Sequence, residues 1–142
     1  MRLMRRTATL VLMVSWTALP TAPAADVKPE DAAQKGAEAW LALVDAGKYG
    51  QSWDEAATYF KGAVTRAQWE QAVGGVRAPL GKLVSRKLRS RQYAEKLPGA
   101  PDGKYVIIQY DASFEKKREA VETVTPMQDG PRGWRVSGYF IK

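Results

Sequence analysis

Polar residues on the predicted C-terminal strands have types and spacings that suit acid–base chemistry. Asp111 follows Tyr110, and alternation places Asp111, Gln109, Arg135 and Tyr139 on one face of the predicted sheet. A carboxylate and a phenol in one cleft can act as base and hydrogen-bond donor, as proton abstraction beside a carbonyl requires. The alternative is a solvent-facing sheet with a cross-strand ion pair between Asp111 and Arg135. Catalysis by Asp111 with Tyr110 or Tyr139 is therefore one hypothesis, and ligand binding by Gln109 and Arg135 is another.

A second candidate site is the most basic stretch of the chain, residues 86–91. In a regular strand Lys87, Arg89 and Arg91 project to one face, with Tyr93 beside them. Such a stripe can bind an anion. An edge strand protected by charge against aggregation has the same pattern, so both interpretations stay open.

Several other kinds of site are not expected. The chain contains no histidine and no cysteine, which removes imidazole and thiolate ligands for a transition metal and also the common nucleophilic triads. Glycine does not occur in a phosphate-binding arrangement between a strand and a helix. Glu115, Glu119 and Glu122 do not have the spacing of a calcium loop. The sequence therefore predicts no metal site and no cofactor.

The N-terminal segment differs in character from the rest of the chain. Three arginines within the first six residues precede an apolar run from Ala8 to Leu19, and the small residues Ala22 and Ala24 then stand two apart. This order predicts a secretory signal peptide over residues 1–24, cleaved after Ala24. The run is shorter than the about 20 residues of a membrane span. Residues 25–142 are expected to form one exported domain, periplasmic or secreted.

Export changes the expected partner of the basic strand. Removing the three arginines of the leader lowers the formal net charge from +7 by three, to +4. Nucleic acid is the usual partner of a basic stripe, but an exported chain is expected to meet an anionic component of the cell envelope instead. No second apolar run follows, so no transmembrane segment is predicted in the mature chain. The absence of cysteine excludes a disulfide framework and a lipid-anchored N-terminus.

Apolar residues recur at helical spacing in the first half of the mature chain. Apolar spacing predicts a first helix from near Pro29 to near Gly47. Ser52 followed by Glu55 predicts a capping box for a short second helix, and Thr65 followed by Gln68 predicts another for a third helix, which ends at Pro79. The stripe of the second helix consists of Trp53, Ala56, Ala57 and Phe60. The four tryptophans of the mature chain, Trp40, Trp53, Trp69 and Trp134, all fall on apolar stripes and are predicted to be core residues.

Period-two alternation predicts four strands in the second half. Val84 and Leu88 of the first strand are expected to face the core. Short turns between consecutive strands favour an antiparallel meander, and helices followed by strands are typical of an α+β domain. We therefore predict three N-terminal helices packed on one face of a four-stranded antiparallel sheet. The strands are predicted over residues 83–93, 106–114, 121–125 and 134–140, the last with Trp134, Val136, Gly138 and Phe140 facing the core.

Six short segments of the mature chain form a recognisable set: residues 37–41, 45–49, 52–53, 77–81, 97–103 and 134–139. Each is weak alone, but together they resemble the bacterial domain of unknown function 4019 family. The resemblance implies a small exported bacterial protein with helices before a sheet, and it brings no assigned activity and no catalytic residues. The layout is also similar to the nuclear-transport-factor-2-like and cystatin-like α+β folds, which host both enzymes and binding modules.

The leading functional hypothesis is a non-catalytic binding or envelope-associated module. Its partner would be a small ligand held between helices and sheet, or another component of the envelope. The alternative is a small cone-shaped α+β enzyme that uses Asp111 with Tyr110 or Tyr139. A third hypothesis is a structural or stress-related envelope protein that acts through the basic strand.

Overall fold

The computed structural model describes residues 27–142, so the predicted signal peptide lies outside the described part. Four helices precede four strands, and the α+β prediction is confirmed. The strands form one antiparallel sheet in the order β1-β2-β3-β4, which is the predicted meander. The helices are α1 (Pro29–Asp45), α2 (Tyr49–Glu55), α3 (Thr58–Ala63) and α4 (Arg66–Arg77), and the strands are β1 (Leu83–Ala94), β2 (Tyr105–Phe114), β3 (Lys117–Gln128) and β4 (Trp134–Ile141).

The predicted second helix is wrong in its start and in its continuity. The region forms two short helices, because the backbone is extended at Ala56 and Ala57. Ser52 does not cap a helix but lies fully buried inside α2. Its hydroxyl donates to the carbonyl of Tyr49 at 2.6 Å and accepts from the indole of Trp69 at 2.9 Å. Tertiary hydrogen bonding to tryptophan thus takes the place of the capping role that local sequence predicts.

The predicted capping box of the last helix is confirmed. The side chain of Thr65 accepts from the backbone of Gln68 at 3.2 Å, and the side chain of Gln68 accepts from the backbone of Thr65 at 2.9 Å. These two bonds satisfy backbone donors that a helix start leaves unpaired. They fix the point at which α4 begins to pack on the rest of the domain.

The main core lies between α1, α4 and one face of the sheet, called here the inner face. Trp40 and Trp69 are buried there with ring centroids 5.8 Å apart, whereas Trp53 and Trp134 are partly buried at its border. The indole of Trp40 donates to the carbonyl of Ser52 at 2.8 Å, so its polar atom is satisfied. The buried stripe of α1 consists of Ala33, Ala37, Trp40, Leu41 and Val44, as its spacing predicts.

The prediction that Val84 and Leu88 of β1 lie in the core is wrong. Register shifts occur between Leu83 and Ser85 and again between Leu88 and Ser90, and an extra residue reverses the alternation of faces beyond it. Val84 is the extra residue of the first shift and is 65% exposed. Leu88 lies opposite Tyr110, on the same face as Arg86, but it is 39% exposed. Arg86 points to the inner face and donates to Glu122.

A similar irregularity in β4 changes the faces of its last residues. Gly138 pairs with Thr125 while Val136 pairs with Pro126, so Ser137 is the extra residue. Val136 is buried as predicted, but Phe140 is 51% exposed, which contradicts its predicted place in the core. Within residues 27–142 no helix has the length and apolar character needed to cross a bilayer.

Candidate functional site

The face of the sheet away from the helices, called here the outer face, holds part of the predicted set. Asp111 lies there with its side chain 58% exposed, 3.5 Å from the guanidinium of Arg89. Lys87 is opposite Asp111 in the strand register. Gln109 contacts the hydroxyls of Ser90 and Thr123, each at 3.4 Å. These residues form an open polar surface with an exposed ion pair, as in the solvent-facing alternative, but the partner of Asp111 is Arg89 and not the predicted Arg135.

The structure does not bring Asp111 together with either predicted phenol. Tyr110 points to the inner face, where its hydroxyl donates to Glu38 at 3.4 Å. Tyr139 also points inward, with its ring 5.3 Å from that of Trp40, because the extra residue in β4 reverses its predicted direction. A sheet therefore separates the carboxylate from both hydroxyls.

Both phenols have pKa values above their usual range. Burial is the largest cause for Tyr110, followed by the negative charge of Glu38. Burial is also the largest cause for the raised pKa of Tyr139, followed by the charge of Glu122, to which its hydroxyl donates a short hydrogen bond. Both side chains therefore stay protonated and act as hydrogen-bond donors.

The predicted basic stripe is divided between the two faces. Arg91 points to the inner side and contacts Asp31 of α1 at 2.6 Å and Gln34 at 3.1 Å. The extra residue between Leu88 and Ser90 is the cause, since it changes the face of every residue after it. Lys87 and Arg89 remain on the outer side, so a stripe of three cations on one face is not formed.

A cluster that the sequence did not predict lies under the helices, buried at Glu122 and Arg77 and exposed at Asp45. We call Asp45, Arg77, Arg86, Glu122 and Tyr139 the ionic network. Arg86 donates to Glu122 at 2.7 Å and to Asp45 at 2.7 Å, and Arg77 donates to Asp45 at 2.9 Å. Glu122 is fully buried. Two cations and two carboxylates thus connect the end of α1, the end of α4, β1 and β3.

Hydrogen bonds and charges within the network favour the ionised forms of Arg86 and Asp45. Burial lowers the pKa of Arg86, but its hydrogen bonds to Asp45 and Glu122 outweigh that effect, so the pKa lies above its usual range. Burial likewise raises the pKa of Asp45, and its bonds to Arg86 and Arg77 outweigh this and leave the pKa lowered. The guanidinium of Arg77 lies 4.8 Å from the ring centre of Phe114, and its Nε and Nη1 have no hydrogen-bond partner among the described residues.

An open cavity of about 330 Å³ lies where α1 and α2 meet the start of β4. We call it the α1–β4 cleft. Its volume is at the lower end of the range of small-molecule sites. Gly36 allows the close approach of α1 and β4, because a Cβ there would lie 3.1 Å from the carbonyl oxygen of Trp134. The lining residues are Gly36, Ala39, Trp40, Leu43, Gln51, Glu55, Arg132, Trp134, Arg135 and Val136.

The polar groups of the cleft lie at its α2 and β4 sides. Nη1 of Arg135 donates to Glu55 at 2.5 Å, and Nε donates to the carbonyl of Arg132 at 3.0 Å. Arg132 itself donates to the carbonyl of Ala56 at 3.0 Å and to Asp129 at 2.8 Å. Arg135, predicted beside Asp111, therefore contributes to this cleft and not to the outer face.

The sequence analysis singled out only Tyr139 of the ionic network and only Arg135 of the cleft lining as candidate site residues. Glu122 lies between Val121 and Thr123, on a strand whose residues the sequence analysis did not assign to the two faces of the sheet. Its inward position was therefore missed. Gly36 lies inside the predicted first helix, where a glycine can indicate close packing against another element. Among residues 27–142 no group of three or more acidic, histidine or cysteine side chains is placed to hold a metal ion.

The sequence matches the model of one protein family. A family model described as protein of unknown function (DUF4019) matches residues 36–139, which span the first helix to the last strand. No curated protein matches the chain. The match covers the lining of the α1–β4 cleft and all five residues of the ionic network.

Proposed function

Since the chain belongs to the DUF4019 family, whose description names no activity, we propose a function from the geometry: the protein is an exported, non-catalytic binding module. Its ligand site is the α1–β4 cleft. The observation that carries this function is the cleft itself, a concave cavity of about 330 Å³ with apolar and charged groups on its wall. Apolar walls with a few placed polar groups are typical of ligand sites.

The arrangement of titratable groups favours binding over catalysis. A general base needs to lie within hydrogen-bond reach of the proton that it removes. Asp111 lies on the exposed outer face, and the carboxylates of the ionic network are held by arginine. Asp111 borders an open depression of about 420 Å³, but neither Tyr110 nor Tyr139 lines it. The enzyme hypothesis therefore lacks the pair of groups that it needs in one cleft.

Export rests on the basic, apolar and small-residue order of residues 1–24. We expect the full chain, expressed in a bacterium, to accumulate in the envelope or medium as a product that begins at Ala25. Mass spectrometry of the purified protein checks this. Recovery of the unprocessed chain from the cytoplasm would contradict export and would leave the cleft untouched as a binding site.

Binding can be tested with a library of small fragments and two matched variants. Ala39 and Ala42 are both exposed on α1, but only Ala39 is among the residues that line the cleft. We expect fragments to shift the amide NMR signals around the cleft of the wild type. Ala39→Phe fills the cleft and should abolish these shifts, while Ala42→Phe should preserve them. Equal binding by both variants, or no binding by the wild type, would overturn the proposed function.

A further inference from the structure

Two arginines and one carboxylate line the α1–β4 cleft: Arg132, Arg135 and Glu55. Arg132 is paired with Asp129, which lies outside the lining, at 2.8 Å. Arg135 and Glu55 are therefore the charged groups that remain to meet a ligand in the cleft.

The two arginines differ in the donors that they have left. Arg132 uses Nη1 and Nη2 on the carbonyls of Ala56 and Asp54, and its Nη1 also donates to Asp129. Arg135 uses Nε and Nη1, and its Nη2 makes no hydrogen bond within residues 27–142. A guanidinium presents its donors as a fork that matches a carboxylate. Arg135 is therefore the group equipped to receive an anion.

The partner of Arg135 is itself replaceable. Glu55 is 48% exposed and Arg135 is 30% exposed, so their ion pair is in contact with water. Exposed pairs of this kind contribute little to stability, about 0–1 kcal/mol. A carboxylate from a ligand can share or take the place of Glu55 on Arg135 without breaking the fold.

The rest of the wall is apolar. Trp134, Leu43 and Ala39 lie along the α1 and β4 sides of the cleft. We infer that the cleft binds a small monocarboxylate with an apolar body, its carboxylate on Arg135 and its body against Trp134 and Leu43. This inference rests on the proposed function, since it names the ligand class of the same cleft.

The ligand class can be tested by calorimetric titration with three probes of similar shape: phenylacetate, phenylacetamide and phenethylamine. We expect phenylacetate to bind at least about tenfold more tightly than phenylacetamide, because a charged hydrogen bond to Arg135 is stronger than a neutral one. Phenethylamine should bind most weakly. Equal binding of phenylacetate and phenylacetamide would overturn the carboxylate class, while the cleft would remain a binding site.

Two variants should move this preference in opposite directions. Arg135→Gln should remove the advantage of phenylacetate over phenylacetamide. Glu55→Gln should strengthen phenylacetate binding severalfold, since it removes the competing carboxylate. A purely structural role of the pair would weaken binding in both variants and would contradict the inference. Arg118→Gln and Glu119→Gln, exposed on β3 and outside the cleft lining, serve as charge-matched controls and should leave all three affinities unchanged.

A zwitterionic ligand is the closest competing class, because Glu55 can receive an ammonium group. Phenylalanine is the probe for it. Tighter binding of phenylalanine than of phenylacetate, lost in Glu55→Gln, would replace the monocarboxylate by an amino acid. If no probe binds but the cleft still takes up neutral fragments, a ligand carboxylate on Arg135 is rejected. The proposed function, binding in the cleft, would remain.

Discussion

The ionic network and the α1–β4 cleft each contain two arginines and at least one carboxylate, but their surroundings differ. In the network Arg86 lies between Asp45 and Glu122, and Glu122 has no exposed surface. At the cleft the pair of Arg135 and Glu55 is open to water. Removing one partner from a buried pair leaves an uncompensated charge, whereas an exposed pair is readily exchanged for water or a ligand.

This difference separates the structural role of the ionic network from the proposed binding role of the cleft. The network joins the ends of α1 and α4 to β1 and β3, and a ligand has no access to its fully buried carboxylate. The cleft offers the same chemical groups in a form that can change partners. The degree of burial, and not the type of residue, is what distinguishes them.

The largest expected effect is on the network. Glu122→Ala leaves Arg86 and Arg77 with one shared carboxylate, so the free energy of unfolding should fall by about 3–5 kcal/mol. Urea denaturation measures this change. Glu55→Ala, the matched change at the cleft, should cost less than about 1 kcal/mol. Equal losses would show that burial does not separate the two clusters.

Acid should also weaken the ionic network, through Asp45. The folded-state pKa of Asp45 lies below its ordinary value of 3.8, because bonds to Arg86 and Arg77 outweigh the effect of burial. The ionised Asp45 therefore contributes fully to the free energy of unfolding above about pH 4, and this contribution is lost as the pH falls through the folded-state pKa. Urea midpoints measured from pH 7 to pH 2.5 should fall more steeply for the wild type than for Asp45→Asn. Parallel curves would contradict the assignment.

A pair of glycines tests the close packing at the cleft. Gly75 of α4 has open space around it, so Gly75→Ala should stabilise the domain by about 0.5–1 kcal/mol through helix propensity. Gly36→Ala should give a smaller gain or a loss, because its Cβ meets the carbonyl of Trp134 at 3.1 Å. Thermal unfolding of the two variants compares them. Equal gains would mean that α1 and β4 move apart freely at the cleft.

The smallest effect is expected on the outer face. The ion pair of Arg89 and Asp111 is more than half exposed on both sides. Asp111→Asn should change the free energy of unfolding by less than about 0.5 kcal/mol and should leave fragment binding unchanged. Lost binding in this folded variant would move the site from the cleft to the outer face of the sheet.

The sequence was sufficient to predict the elements that depend on local residue patterns. The stripe of α1, the capping box of Thr65 and the order of helices before strands all follow from spacing within a few residues. The role of Ser52 was not predictable in this way, because two tryptophans from other parts of the chain bind it. Local capping rules do not include such partners.

The faces of β1 and β4 were predicted incorrectly after their extra residues. Alternation assumes a regular strand, and one inserted residue moves all that follow to the other face. Arg91, Tyr139 and Phe140 were misplaced for this reason. The candidate site depended on those faces. The sequence therefore predicted Arg135 as a candidate binding residue but did not predict the cleft that it lines.

The location of the bound ligand tests the central claim most directly. A crystal structure of the protein with phenylacetate should place the ligand between α1 and β4, with its carboxylate within hydrogen-bond distance of Arg135 and its ring against Trp134. The ionic network should keep its contacts, including those of Arg86. A ligand bound on the outer face beside Asp111 and Lys87, with the cleft empty, would contradict the account.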